Sequence, residues 1–75
     1  MQVRPGIKVR HFKGGQYEIV GIGRHSETDE QLVVYRPLGD SALKPEEDFW
    51  VRPLSLFTEI VQRDEYHGPR FSLIE

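Results

Sequence analysis

The chain has no cysteine, one tryptophan and one methionine among its 75 residues. Without cysteine it forms neither a disulfide nor a thiolate metal site, so packing and hydrogen bonds must hold the fold together. A domain of this length buries only roughly 60% of the surface that its unfolded chain exposes. We therefore expect residues 1–75 to form one small domain that closes a compact sheet around a few large side chains.

Long apolar segments are missing as well. No apolar run approaches the roughly 20 residues that a membrane-spanning helix needs. Met1 is followed by Gln2 and Arg4 without the apolar core of a secretory signal, so no such signal is expected. These absences predict a cytoplasmic protein without membrane contact. Hydrophobic residues still make up 37% of the chain, which is enough to build a folded core.

The chain also lacks an excess of basic residues. Its formal net charge is −2 and its isoelectric point is about 5.9, which argues against broad nonspecific binding to nucleic acid. Acidic residues gather in predicted loops, whereas several basic residues lie inside predicted strands, namely Lys8, Arg10, Arg24, Arg36 and Arg52. A basic stripe along a sheet is therefore compatible with the acidic total.

Short runs of β-forming residues, separated by glycine and proline, indicate strands. They predict strands at residues 7–12, 17–25, 32–38, 49–52, 58–63 and 70–74, with a turn at 64–69. Helical spacing predicts a short helical turn at Leu54–Phe57. Pro45 followed by three acidic residues predicts another, because proline and acids are favoured in the first turn of a helix.

The second predicted strand changes its alternation in the middle. Apolar residues up to Ile19 share one face, and those from Val20 onward share the other. A β-bulge at residues 19–21 reconciles the two sets, and Gly21 and Gly23 permit the coiling by which a small sheet closes. The pattern predicts an all-β protein, a small antiparallel SH3-like barrel of five or six strands.

Two strands end in the related motifs VVYRPL and FWVRPL. If these strands are neighbours, Tyr35, Arg36, Trp50 and Arg52 form an aromatic–arginine surface. Arginine offers a planar fork for carboxylate or phosphate, and the rings offer stacking area. The alternative is that both rings belong to the core, where large aromatics dominate in small domains, while the arginines pair with nearby acids.

A second candidate site combines bases and histidines of the first two strands, namely Arg10, His11, Lys13, Arg24, His25 and Ser26. Such a group can hold an anion or position a histidine for proton transfer. The alternative is a solvated strand face. No two of the three histidines are three or four residues apart, so the spacing predicts no metal site, and no cofactor motif is present.

The segments HFKGGQY, RHSET, VVYRPL, WVRPLSLF and PRF resemble a bacterial family known as domain of unknown function 1653. The resemblance extends over roughly residues 5–74. It implies a short all-β domain of SH3-like type. It implies no established activity or ligand and brings no catalytic residues.

Three functions are compatible with these patterns. The first is a small interaction module whose aromatic and arginine residues receive a peptide or an acidic protein partner. The second is an RNA- or DNA-binding barrel that stacks bases on Trp50 and Tyr35. The third is a small enzyme that uses His11 or His25, which we rank last because so short a chain has little room for an enclosed pocket. A non-enzymatic, cofactor-free monomer or weak homodimer is expected.

Overall fold

The computed structural model of the chain describes residues 2–39 and 49–74. This part contains seven strands and one short helix. The elements are β1 (Lys8–His11), β2 (Gln16–Arg24), β3 (Gln31–Pro37), β4 (Trp50–Pro53), α1 (Leu54–Phe57), β5 (Ile60–Arg63), β6 (Tyr66–Pro69) and β7 (Phe71–Leu73).

The strands form two antiparallel sheets. The larger has five strands in the order β4-β3-β2-β1-β7, and the smaller consists of β5 and β6. The predicted all-β class and antiparallel pairing are confirmed, and so is the helical turn at Leu54–Phe57. The second predicted helical turn, after Pro45, lies outside the described residues.

The described part of the chain has seven strands, whereas the sequence predicted five or six. The addition is β6, which occupies most of the predicted turn at residues 64–69. Gly68 and Pro69 disfavour a strand locally, but pairing with β5 outweighs that preference. Gly68 also lets the Tyr66 ring fold back, since an added Cβ there would lie 2.8 Å from the Tyr66 hydroxyl.

The predicted bulge in β2 is confirmed by a shift of register between Ile19 and Gly21. Val20 is the extra residue, so Ile19 lies opposite Tyr35 and Ile22 lies opposite Val33, although Val20 and Ile22 both stay exposed. The glycines are less constrained than their position suggests. A Cβ at Gly21 or Gly23 meets nothing within 4 Å, and neither has a positive φ.

The larger sheet curls around a core of six clustered residues, which include Ile19, Tyr35, Phe57 and Phe71. Phe57 of α1 stacks on Phe71 of β7 at 4.1 Å between ring centroids. The guanidinium carbon of Arg52, on β4, lies 5.7 Å from the centroid of the same ring. Side chains from the two outermost strands thus meet, which is consistent with an SH3-like barrel. The barrel itself stays a prediction.

Candidate functional site

Antiparallel pairing places one group of aromatic and cationic side chains together on the inner face of the larger sheet. Tyr35 of β3 lies directly opposite Trp50 of β4. Tyr17 of β2 contacts both rings, at 5.3 Å from Tyr35 and 5.4 Å from Trp50 between centroids. We call His11, Tyr17, Trp50 and Arg52 the aromatic–arginine site, with Tyr35 and Phe71 as its floor.

The two rings of the paired motifs have different environments. Tyr35 is only 2% exposed and belongs to the core, whereas Trp50 is 43% exposed. The question that the sequence left open therefore has a different answer for each ring. Trp50 leaves nearly half of its surface exposed, and the Tyr35 ring lies beneath it at a centroid distance of 6.1 Å.

Arg52 is held by the floor of the site. Its Nε donates to the Tyr35 hydroxyl at 3.3 Å, and its guanidinium lies over the Phe71 ring. Within residues 2–39 and 49–74, no carboxylate lies within 4 Å of this guanidinium. Arg52 is thus oriented by neutral groups and is not neutralised by any of the acids in that part of the chain.

Arg36 does not join the other three residues of the predicted surface. It follows Tyr35 in β3, so its side chain points to the opposite face of the sheet. There it donates to the Glu18 carboxylate at 2.8 Å, across the β2–β3 pairing. The structure thus brings Tyr35, Trp50 and Arg52 together and places Arg36 in an outer-face ion pair.

His11 lies at the edge of the site, against the Phe71 ring at 5.0 Å. The backbone N–H of Lys13 donates to its Nδ1 at 3.1 Å, which requires that nitrogen to be unprotonated. Burial lowers the pKa of His11 below its usual 6.5, and the positive charges of Arg52, Arg70, Lys13 and Arg63 lower it further. The site is therefore a region of positive potential.

Tyr17 was not among the residues that the sequence nominated. Burial and the neighbouring Tyr35 raise the pKa of its hydroxyl, while the charge of Arg52 acts in the opposite direction. The ring also lies near Gly15, where an added Cβ would be 2.9 Å from the Tyr17 hydroxyl. The signal available in the sequence was its parity, which puts Tyr17 and Ile19 on the same face of β2.

Arg24 and His25 lie far from His11. Arg24 ends β2, whereas His11 lies beside the β1–β2 turn at the other end of that strand, roughly 25 Å away at strand spacing. Arg24 pairs with Asp29 at 3.2 Å. His25 accepts the backbone N–H groups of two residues of its own loop, Glu27 and Thr28. The second predicted cluster is thus not assembled.

Arg10, the remaining nominated residue, lies on the outer face. It pairs with Gln16 of β2 and Ser72 of β7. In the described part of the chain, no group of three or more His, Asp or Glu residues is arranged to hold a metal ion. No helix among the described residues combines the length and the apolar character needed to cross a bilayer.

Comparison with known proteins gives a family but no activity. The sequence model described as "Protein of unknown function (DUF1653)" matches residues 7–73. The chain is also similar to a solved structure, the crystal structure of a protein belonging to DUF1653 from Bordetella bronchiseptica. The two are 37% identical with a TM-score of 0.77, over 97% of this chain and 88% of the other. None of the curated proteins matches the sequence.

Proposed function

This chain belongs to the DUF1653 family of proteins of unknown function, and we propose that it is a binding module whose aromatic–arginine site receives an acidic segment of another protein. The observation that supports this function is that Arg52 has no acidic partner within the described part of the chain. Arg24, Arg36 and Arg70 each pair with a carboxylate of the same chain. Arg52 is oriented by Tyr35 and Phe71 instead.

An orienting contact of this kind prepares a guanidinium for a carboxylate. The Nε bond to Tyr35 fixes the plane of the fork, and the terminal nitrogens remain as donors. Because Phe71 and Tyr35 exclude water beneath it, a carboxylate bound there forms a charge-assisted hydrogen bond in surroundings of reduced polarity. The pKa of His11 is lowered first by burial and then by the charges of nearby cations, of which Arg52 is the largest contributor, and these charges attract anions.

The neighbouring rings favour a peptide as the source of that carboxylate. Trp50 is half exposed beside Arg52, and Tyr17 packs against its indole. Aromatic surfaces of this type bind extended segments in small β-domains by contact with apolar side chains and backbone. We also propose that this binding takes place in the bacterial cytoplasm, with which a chain without cysteine is compatible.

Selection from a random octapeptide library displayed on phage tests the proposal. Enriched peptides are expected to contain Asp or Glu and to shift the fluorescence of Trp50, the only tryptophan of the chain. In Arg52→Gln their affinity should fall by about tenfold, the cost of one charged hydrogen bond. Arg24→Gln is the matched control, because Arg24 is exposed at the far end of β2, and it should bind like the wild type.

Two outcomes would contradict this function. One is a selection without enriched peptides that depend on Arg52. The other is tight binding of single-stranded RNA whose affinity falls steeply with salt, as expected when lysine and arginine release counterions from phosphates. In that case Trp50 would be a base-stacking platform.

A further inference from the structure

A cleft of about 550 Å³ is lined by residues of β1 and β7 and borders the aromatic–arginine site at His11. Arg10 and Ser72 lie opposite each other on β1 and β7 and form its base. The other side chains that line it and enter the argument are Phe12, Tyr66, Leu73 and Ile74. Its volume is within the usual range of ligand sites, but it is open to solvent along one side.

One wall of this cleft is aromatic. Phe12 and Tyr66 stack with their ring centroids 5.0 Å apart and an interplanar angle of 17°, so the two sheets meet at this wall. Leu73 is 51% exposed although it is a large aliphatic residue. Leu73 lies opposite Val9, so its side chain is on the other face of the sheet from those of Arg10 and Ser72.

The charged group at the base is a cation. The Arg10 side chain is exposed, and in the described part of the chain no carboxylate lies within 4 Å of it. No acidic residue of that part lines the cleft. Charge complementarity therefore favours an anionic group next to the apolar one.

The backbone of β7 adds a reason to expect a peptide. The N–H of Phe12 donates to the carbonyl of Arg70, and that of Ile74 donates to the carbonyl of Lys8. Because successive residues of a strand direct their backbone groups to opposite edges, Leu73 turns its N–H and C=O away from β1. β7 is the last strand of its sheet, so in the described structure no other strand pairs with this edge.

We propose that this cleft is a second docking site, which takes an extended peptide of another protein in which an acidic residue lies beside a branched apolar residue. Because adjacent residues of an extended peptide point to opposite faces, the carboxylate binds Arg10 on one face while the apolar side chain contacts Leu73 on the other, and one peptide group pairs with the backbone of Leu73. His11 contacts both Phe12 and Phe71, so the two sites meet at this side chain, but neither depends on the other.

Titration of the selected octapeptides against four variants tests this site. A class of peptides with Asp or Glu next to Leu, Ile or Val is expected to lose about tenfold in affinity in Arg10→Gln and in Leu73→Asn. The same peptides should bind Arg52→Gln and Arg24→Gln within twofold of the wild type. Amide spectra of the bound wild type should show shifts at Ser72, Leu73 and Ile74.

The substituted positions are exposed, so the variants are expected to fold, and amide spectra of each free variant check this. Ser72→Asp serves as a further variant. It sets a carboxylate opposite Arg10 and should abolish binding of the same peptides. If no peptide depends on both Arg10 and Leu73, or if Ser72→Asp binds normally, the second docking site is wrong. Peptides that depend on Arg52 alone would leave the aromatic–arginine site supported and this one overturned.

Discussion

His11 combines a hydrogen-bonding role with an unfavourable electrostatic position. Its Nδ1 accepts the Lys13 N–H and so helps to form the turn between β1 and β2. A proton on Nδ1 would remove this bond and add a positive charge where Arg52 and Arg70 already act on the ring. The folded state therefore stabilises the neutral imidazole.

This preference predicts a loss of stability at mildly acidic pH. In the unfolded chain His11 takes up its proton near pH 6.5, whereas its pKa in the folded protein is lower. Between these two values the unfolded state binds more protons, so the free energy of unfolding falls as the pH decreases. The contribution is complete above pH 6.5 and is lost below it, down to the lower pKa of the folded state.

Urea denaturation between pH 7.5 and pH 5 measures this dependence. In His11→Gln, which keeps a hydrogen-bonding side chain but does not titrate, the part of the slope due to His11 should disappear. Titration of the His11 ring by NMR should place its pKa below 6.5. An equal slope in the two proteins would show that His11 does not contribute.

The different burial of Tyr35 and Trp50 shows a limit of reading single residues. Both lie on the inner face and directly opposite each other, so alternation treats them alike. Tyr35 is enclosed because β3 has a strand on both sides, whereas β4 is the last strand of its sheet. Position in the sheet order decides burial here, and the sequence of one strand does not contain it.

At the scale of elements, α1 is a helix that local interactions do not sustain. Four residues are too few for an isolated helix, and in the described structure its N-terminus has no side-chain cap. Its stability comes from Phe57, which is fully buried between Phe71 and Tyr35. The structural role of α1 is therefore to place the Phe57 ring in the core.

Substitutions of the buried and of the exposed side chain of α1 should differ strongly in their effect on stability. Phe57→Ala removes a buried ring and should cost about 3–5 kcal/mol, enough to leave a domain of this size largely unfolded. Leu56→Ala, on the same helix but at a residue 45% exposed, should change the free energy of unfolding by less than about 1 kcal/mol. Thermal unfolding followed by circular dichroism measures both.

Phe57→Leu keeps the comparison quantitative if the alanine variant does not fold. It retains an apolar side chain and loses the stack on Phe71, so its stability should fall between those of the other two proteins. Similar melting temperatures for Phe57→Leu and Leu56→Ala would contradict the role of this ring as the anchor of α1.

Much of the element pattern could be predicted from the sequence. Period-two alternation located β1, a run of branched apolar residues located β3, the change of parity in β2 located the bulge, and helical spacing located α1. β6 was missed because Tyr66–Pro69 ends in Gly-Pro. Its strand geometry comes from pairing with β5, and the Tyr66 hydroxyl also donates to the Pro69 carbonyl at 2.6 Å. These long-range and side-chain contacts have no local signature.

Across the described molecule, the two sheets are joined by few interactions. The Arg70 N–H donates to the Glu59 carbonyl at the junction, and the side chains of the same residues form an ion pair at 3.5 Å. The Phe12–Tyr66 stack is the main ring contact between the sheets. The β5–β6 hairpin is thus held at its base by the Arg70–Glu59 contacts and near its tip by Tyr66, whereas β2 and β3 have paired neighbours on both sides.

This arrangement predicts unequal local stability, which amide hydrogen exchange measures. Amides of β5 and β6 should exchange at least about tenfold faster than those of β2 and β3, because the hairpin can open while the larger sheet stays folded. Tyr66→Ala should accelerate exchange in the hairpin and leave β2 and β3 unchanged. Equal rates in both sheets would indicate that they unfold as one unit.

Part of the candidate site could be predicted from the sequence, and the reason is the order of the strands in the whole molecule. The paired motifs identified neighbouring strands, and this brought Tyr35, Trp50 and Arg52 together. The predicted histidine cluster needed the two ends of β2 to be close, which an extended strand of nine residues forbids. Arg70 and Arg63 instead lie close enough for their charges to lower the pKa of His11, because the chain returns through the second sheet, and the separation of these residues in the sequence gives no sign of it.

The β5–β6 hairpin has a practical consequence for handling the protein. Its tip consists of Asp64 and Glu65, both exposed, with Asp64 at a φ of 52°. Asp64 lines neither proposed docking site, whereas Tyr66, which follows the tip, stacks on Phe12 in the wall of the second one. A fluorophore or an affinity handle placed at Asp64 can immobilise or track the molecule while the aromatic–arginine site stays accessible.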